Sequence, residues 1–452
     1  MIIVDKFLQQ REKEGRPIRV GLWGAGEMAK GMVNQVMRYT TGMEVAVIAN
    51  RTLAKAIEAY EYTGTQATVC QDKEALQKVI SEGGFAVTTE AELLCEVDGL
   101  DLLVECTGTI HYAANLIFKA IENKKHVLLF NPEVDATIGP ILKVYADRAG
   151  VMLSGCDGDQ PGVIMNLFRF VKSLGLQPLI CGNIKGLQDF YRNPTTQAGF
   201  AARWQLTPEM VTQFADGTKI SIEQACVANA TGMGVAKRGM IGLNYNGHID
   251  DMTTMYDVEE LKSLGGIVDY VVGPKPGPGV FVFATTDDEK TKHYLNYGKL
   301  GEGPLYSFYT PYHLIYFEIP HSIARMVLFN DIIMAPLAGP VVEVATFAKT
   351  DLKKGKKLDG LGGYDYYGQC ENATTARNEN LLPVGLAEGC LLKRDLARDA
   401  VITFDDVELP EDNLVLRLYR EQTEMFFSNA TLNSKNIKSN STNSLPTLEV
   451  NI

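Results

Sequence analysis

Apolar residues recur along the first third of the chain in short blocks separated by amphipathic stretches. Val4, Phe7 and Leu8 share one side of a charged segment, which predicts a helix over residues 1–16. Arg19–Trp23 reads as a short buried strand, followed by a glycine turn, a helix to about Arg38 and a second strand at Glu44–Ala49. Helices from Leu53 to Thr63, over 71–82 and over 89–96, a strand at Leu102–Glu105, a helix at Tyr112–Asn123, a strand at His126–Phe130, a helix over 138–149 and a strand at Val151–Ser154 continue the alternation. Strands alternating with helices predict βαβ units on a parallel sheet.

Beyond residue 155 the pattern loosens. Pro161–Leu174 and Asp216–Asn229 read as helices and Leu179–Lys185 as a strand. Strands at 267–272 and 280–285 flank Gly273–Gly279, expected as a hairpin loop or lid. A helix is expected over 311–330, kinked at Pro320. Within 341–409, Lys349–Leu352 and Lys393–Leu396 echo each other, which predicts a small all-β module with internal similarity. From Ser428 the chain is rich in Asn, Ser and Thr and lacks periodicity, so a disordered tail is expected.

Composition narrows this picture. The chain has 452 residues, too many for one ordinary core, so several domains are expected. A net charge of −12 without a Lys/Arg run argues against a nucleic-acid partner. No apolar stretch reaches the ~18 residues that span a bilayer, so no membrane partner is expected. Eight cysteines stand without C-x-x-C pairs or zinc spacing, which suits reduced thiols and a cytoplasmic location.

Gly24-Ala-Gly26-Glu-Met-Ala29 follows a strand and opens a helix. Gly24 permits the turn, Gly26 lets the backbone approach a pyrophosphate, and Ala29 lets the helix pack close to the strand. This is the fingerprint of a Rossmann domain, with Gly24, Gly26, Glu27 and Met28 at the phosphates. At the end of the second strand stand Asn50 and Arg51, where an NAD enzyme would place a carboxylate. A guanidinium can pair a 2′-phosphate, so NADP(H) is favoured over NAD(H). Cys106, Thr107 and Gly108, and Asn131 one strand further, are expected to wall the cofactor cleft.

Outside that domain, four segments concentrate groups able to move a proton at a carbonyl oxygen. Asp157 and Asp159 could bind a cation or a polyol, although Asp159 also reads as a helix cap. Lys185 ends an apolar strand, where burial would lower its pKa. Lys219 and Glu223 are four apart and share a helix face, as an exposed ion pair or as a pair facing substrate, with Asn229 beyond them. Tyr309–His313 could close over a cofactor, but such a cluster reads more readily as core or interface. His111, His126, His248, His293 and His321 show no ligand spacing.

Gly158–Pro161, Asp216–Lys219, Val227–Gly232, Pro311–Ile315, Leu358–Tyr364 and Leu392–Asp395 together resemble homoserine-dehydrogenase-like proteins with a C-terminal SAF domain, the 1-deoxy-D-xylulose 5-phosphate reductoisomerase-like family. The resemblance covers about residues 1–410. It implies an α/β chain with a Rossmann doubly wound parallel sheet (1–155), a central α+β catalytic and dimerisation domain (156–340) and a β-clip-like SAF module (341–427), with the tail at 428–452. It implies a homo-oligomer, dimer or tetramer, and an NADPH-dependent reductase or reductoisomerase of a small polar, phosphorylated or unphosphorylated ketose, helped by a divalent cation. Asp159, Lys185, Lys219 and Glu223 are then the candidate catalytic residues, by their place in the shared motifs. The chain departs from that branch at Ala29 and Asn50, and residues 186–214 share little with it. A homoserine-type dehydrogenase of a hydroxy acid or amino alcohol, and a non-catalytic NADP(H) or sugar sensor, stay open at this point.

Overall fold

The computed structural model describes residues 3–411 and 413–434, with side chains through residue 427. Seven strands form one sheet: β1 (Ile18–Trp23), β2 (Met43–Ala49), β3 (Thr68–Val69), β4 (Ala86–Thr88), β5 (Leu102–Glu105), β6 (Val127–Leu129) and β7 (Leu153–Gly155). Their order is β3-β4-β2-β1-β5-β6-β7, and every pairing is parallel. β1 is central and nearly all buried, as expected for a parallel strand covered on both faces. At its end the indole N–H of fully buried Trp23 donates to the Ala91 carbonyl at 3.0 Å. The chain runs outward from β1 through β2 and returns as β5 on the other side, so the switch-point crevice lies between β1 and β5. β3 and β4 escape the sequence pattern because two and three residues are too few to show a period.

The helix Pro132–Ala149 starts six residues earlier than its periodicity suggests. Pro132 occupies the first turn, where no intrahelical N–H is needed. Pro140 sits inside the same helix and would ordinarily break it. Gln422 repairs the break: its Oε1 accepts from the Ile141 N–H at 3.1 Å, and its Nε2 donates to the Thr137 carbonyl at 3.3 Å. In an unbroken helix those two backbone groups would pair with each other.

Gln422 belongs to a helix that sequence reasoning missed, Leu414–Ser434, which packs on Pro132–Ala149 and on the helix Ile110–Glu122. Val415, Leu416, Leu418 and Tyr419 are its buried face. The backbone through Ser434 is therefore helical where a disordered tail from 428 was expected, and residues 435–452 lie outside the described part.

The second sheet contains β8 (Gln177–Lys185), β9 (Leu243–Asn244), β10 (Ile267–Val272), β11 (Gly279–Thr285) and β12 (Tyr306–Thr310), in the order β12-β11-β8-β10-β9. The expected hairpin is absent: β10 runs parallel to one edge of β8 and β11 antiparallel to the other. β8 is buried from Pro178 to Ile184, so backbone groups on both its edges require partners. The Gly273–Gly279 loop consequently arches over the end of β8, where the Gly273 N–H donates to the Lys185 carbonyl at 2.8 Å. Helices Gln160–Ser173 and Thr218–Thr231 pack on this sheet. Pro320 does not kink a long helix but lies in the first turn of Ile319–Phe329, after a separate 3₁₀ turn at Ile315–Phe317.

β13 (Val342–Ala348) pairs antiparallel with β14 (Tyr366–Asn372), and β15 (Leu391–Leu392) with β16 (Val407–Glu408). A short helix, Ala373–Asn378, follows β14. The echoed segments meet: Leu352 and Leu396 exchange backbone hydrogen bonds of 2.8 and 2.9 Å. Asn229 accepts from the N–H groups of Val341 and Val342 at 2.8 and 3.0 Å and so seats the start of β13; it is not a substrate contact.

Asp157 is likewise structural. Buried Arg325 approaches it at 3.3 Å, and the Ser322 hydroxyl donates to its other oxygen at 3.0 Å. Arg325 also donates to Asn166 at 2.7 Å and to Asp331 at 2.8 Å. The network ties the loop after β7 to the helix Ile319–Phe329 and removes Asp157 from the pair of carboxylates expected to hold a cation or polyol. Among the described residues no helix is long and apolar enough to cross a membrane.

Candidate active site

The loop after β1 has the form a dinucleotide requires. Gly24 has φ +105°, and a Cβ there would lie 2.5 Å from the Cys106 carbonyl, so the loops after β1 and β5 touch across the switch point. Gly26 is exposed with open space where a Cβ would stand. It caps the helix Glu27–Tyr39 with no side-chain hydrogen bond, so the first N–H groups, those of Glu27 and Met28 among them, face outward without a side-chain cap. Ala29 is fully buried against the sheet. Thr107 donates to the Glu105 carboxylate through its N–H at 2.8 Å and through its hydroxyl. Cys106 is half-buried, Gly108 exposed, and the Asn131 amide donates to the Thr109 carbonyl at 3.0 Å. Arg51 is exposed at the end of β2, and the Asn50 amide turns to the Thr52 carbonyl at 2.8 Å. The glycine turn and the open helix tip at Gly26 fit the phosphates of a nicotinamide dinucleotide.

The four candidate catalytic residues converge at the carboxyl edge of the same sheet. Lys219 Nζ pairs with Glu133 at 2.9 Å, and Glu133 lies in the first turn of the helix that follows β6. Asp159 caps the helix after β7, its Oδ1 3.1 Å from the Gln160 N–H. Glu223, one turn along from Lys219, accepts from Asn183 Nδ2 at 3.1 Å. Lys185, last residue of β8, donates to the Phe214 carbonyl at 2.9 Å. Asp159, Lys219, Lys185 and Glu133 are the charges that act on Glu223. Lys219 and Glu223 thus belong to one buried site and are not an isolated exposed pair.

Two further members lie in segments noted from sequence but were not among the four candidate catalytic residues. Glu133 sat in what read as a turn, and only its following Val134 and Ile138 carry a helical signal. His313 was read as core or interface. Its Nε2 lies 3.1 Å from Gln160 Nε2 and its Nδ1 3.3 Å from the Gly158 carbonyl, which sets the ring beside Asp159. Gly158 (φ +85°) is pressed against Ile315, so only glycine fits there. A small cavity behind the cluster is lined by Asp135, Cys156 and Asp159.

Burial and charge spread the protonation equilibria apart. Burial, with the Asp159 charge, pushes Glu223 up to about 8 against the pull of Lys219 and Lys185. Burial lowers Lys185, opposed by Glu223 and Asp216. Lys219 is also lowered by burial, but Glu133, Asp159 and Glu223 outweigh that and hold it above the ordinary lysine value. Burial lowers His313, with Asp159 opposing. The site therefore holds a fixed cation, Lys219, with Lys185 and Glu223 as the groups that burial shifts toward their neutral forms.

Glu105 supplies a separate test. Burial pushes its carboxyl up to about 7 despite the two hydrogen bonds from Thr107. A raised folded-state value means that protonated Glu105 favours the fold, a contribution full below the unfolded value near 4.5 and lost as pH rises through about 7. Glu105→Gln, which cannot ionise, should match the wild type near pH 4 and gain on it by about 3 kcal/mol at pH 8. Urea denaturation at both pH values measures the difference; a gap that does not widen with pH refutes the assignment.

A parallel sheet with a dinucleotide cradle, opening on buried amino and carboxyl groups that can move a proton, defines an NAD(P)-dependent oxidoreductase. Comparison with known families agrees. Residues 24–142 match the family described as homoserine dehydrogenase, NAD binding domain, and residues 158–319 match oxidoreductase DRL, catalytic domain. No curated protein matches the chain. Among solved structures, it is similar to a probable dehydrogenase from Thermotoga maritima (13% identity, 70% of this chain and 90% of that one, TM-score 0.38). It is also similar to scyllo-inositol dehydrogenase from Lactobacillus casei with bound NAD(H) and scyllo-inositol (15%, 59% and 73%, 0.33) and to a 3-ketoreductase variant from Actinomadura kijaniata in complex with TDP-benzene and NADP (15%, 69% and 90%, 0.34).

Proposed function

We propose that this protein catalyses NADPH-dependent reduction, and the reverse oxidation, of a small polar hydroxy-carbonyl compound that carries no phosphate. The observation that carries this reading is the convergence of Lys185, Lys219, Glu223 and Asp159 at the carboxyl edge of the dinucleotide-binding sheet. When bound, the reduced nicotinamide supplies the hydride. Lys185 gives its proton to the carbonyl oxygen as the carbon accepts that hydride, and Lys219 stabilises the negative charge growing on the oxygen. Glu223 acts on Lys185 through its charge, and Lys185 regains its proton from solvent after turnover. Asp159 accepts from a substrate hydroxyl, and His313 walls the site.

The charge balance favours an uncharged substrate. With Glu223 pushed up to about 8, Glu133 and Asp159 balance the two lysines near neutrality, which leaves no net positive charge to hold a phosphate. The divalent cation expected from the family resemblance does not fit: among the described residues no group of three His, Cys, Asp or Glu side chains could hold a metal. Lysine ammonium groups stand among these carboxylates instead. NADPH oxidation should follow addition of unphosphorylated hydroxy-ketones; turnover with 1-deoxy-D-xylulose 5-phosphate alone would overturn the substrate class.

The preference for NADP(H) rests on Arg51. Arg51→Asp should weaken NADPH relative to NADH by about tenfold to a hundredfold, the worth of one charged hydrogen-bonded pair. Dissociation constants by fluorescence titration test this, and an unchanged ratio would remove Arg51 from the 2′-phosphate site. We read the β13–β16 region as the SAF-like module because its two echoed segments pair with each other. Exposed Phe200 and Trp204 support a homo-oligomer, and eight free cysteines support a cytoplasmic location.

A further inference from the structure

We propose that Lys349, on the β module, is a positioning residue for Lys185: it keeps Asp216 ionised, and Asp216 supplies Lys185 with a counter-charge. The proposal rests on the role given to Lys185 above.

The β module grips the segment that follows Lys185. The Tyr191 hydroxyl donates to Asp399 at 2.9 Å, Thr195 and Tyr364 share a hydrogen bond of 2.8 Å, and the Phe190 ring stacks on Tyr367 with centroids 5.0 Å apart. At the centre of this contact Lys349 Nζ lies 2.8 Å from Asp216 Oδ2 and 2.8 Å from the Gly363 carbonyl. Asp216 is fully buried, and Lys349 is 5% exposed. The other Asp216 oxygen accepts from the Thr218 N–H at 2.9 Å, at the start of the helix that carries Lys219 and Glu223. Phe214, two residues before Asp216, accepts the hydrogen bond from Lys185.

The charges that face these groups come from few elements. Lys185 feels Glu223 and Asp216; Asp216 also acts on Tyr367 of β14; Lys349 also acts on Asp359. A buried carboxylate whose ammonium partner is removed takes up a proton, because an uncompensated buried charge is too costly. Loss of Lys349 should therefore silence Asp216, and Lys185 should lose one of its two counter-charges.

Lys185 is half-buried, and its ionisation can be read in the cofactor-free protein from the pH dependence of its acetylation by acetic anhydride, followed by mass spectrometry. Lys349→Met and Asp216→Asn should each lower the Lys185 midpoint by about one pH unit, and the double variant, which leaves no buried charge, should lower it by the same amount. Lys349→Arg should restore the wild-type midpoint. Unchanged midpoints, or a rise in Lys349→Met, overturn the proposal. Because the readout needs no turnover, failure of the role assigned to Lys185 would show separately, as a Lys185→Met enzyme that still works.

Discussion

Lys185→Met lowers kcat for carbonyl reduction by about a hundredfold to ten-thousandfold and leaves the dissociation constant for NADPH within about twofold. The size follows from what is lost. Methionine keeps the length and apolar body of the side chain but has no proton to give, so the oxygen must take one from water in a site built from buried groups. The dinucleotide cradle lies on another sheet and does not depend on Lys185. Lys219→Met separates the two roles: it removes the fixed charge beside Glu133 and Glu223, so kcat falls while the pH dependence of what remains still follows the Lys185–Glu223 pair. Stopped-flow single turnovers with saturating NADPH measure both. A Lys185→Met enzyme that retains a tenth of wild-type turnover would exclude Lys185 as the proton donor.

Arg325→Met destabilises the fold by about 3–5 kcal/mol, the cost of leaving a buried ion without its partner. Arg325 is 1% exposed and serves Asp157, Asn166 and Asp331 at once. Methionine fills much of the volume but strands the Asp157 carboxylate between Ser322 and Asn166. The double variant Asp157→Asn with Arg325→Met removes the stranded charge and should recover most of the loss, which separates charge from packing. Urea unfolding followed by tryptophan fluorescence suits the test, since Trp23 lies in the core of the first sheet. A single variant within about 1 kcal/mol of the wild type would show the network to be dispensable.

Much of the cofactor domain is legible in the sequence, because its signals are local. A glycine pattern after an apolar run implies a turn that only glycine can make, and the strand–helix alternation implies a parallel sheet. Lys219 and Glu223 share a helix face by their spacing, but nothing local in the sequence brings Lys185 and Asp159 to them. Glu133 and His313 escaped because neither has a neighbour in sequence that reports its surroundings. The arch of Gly273–Gly279 was misjudged for a related reason: two strands joined by a short loop read as a hairpin, and only the burial of β8 shows why a third strand lies between them.

The sequence by itself determined the sheet that binds the dinucleotide, since turn geometry and apolar period are properties of a few consecutive residues. Tertiary structure alone decided which charges share the site, that Asp157 serves Arg325, and that Gln422 mends the helix around Pro140. Those outcomes depend on groups up to 285 residues apart, and their energies arise only when burial removes water from both partners at once.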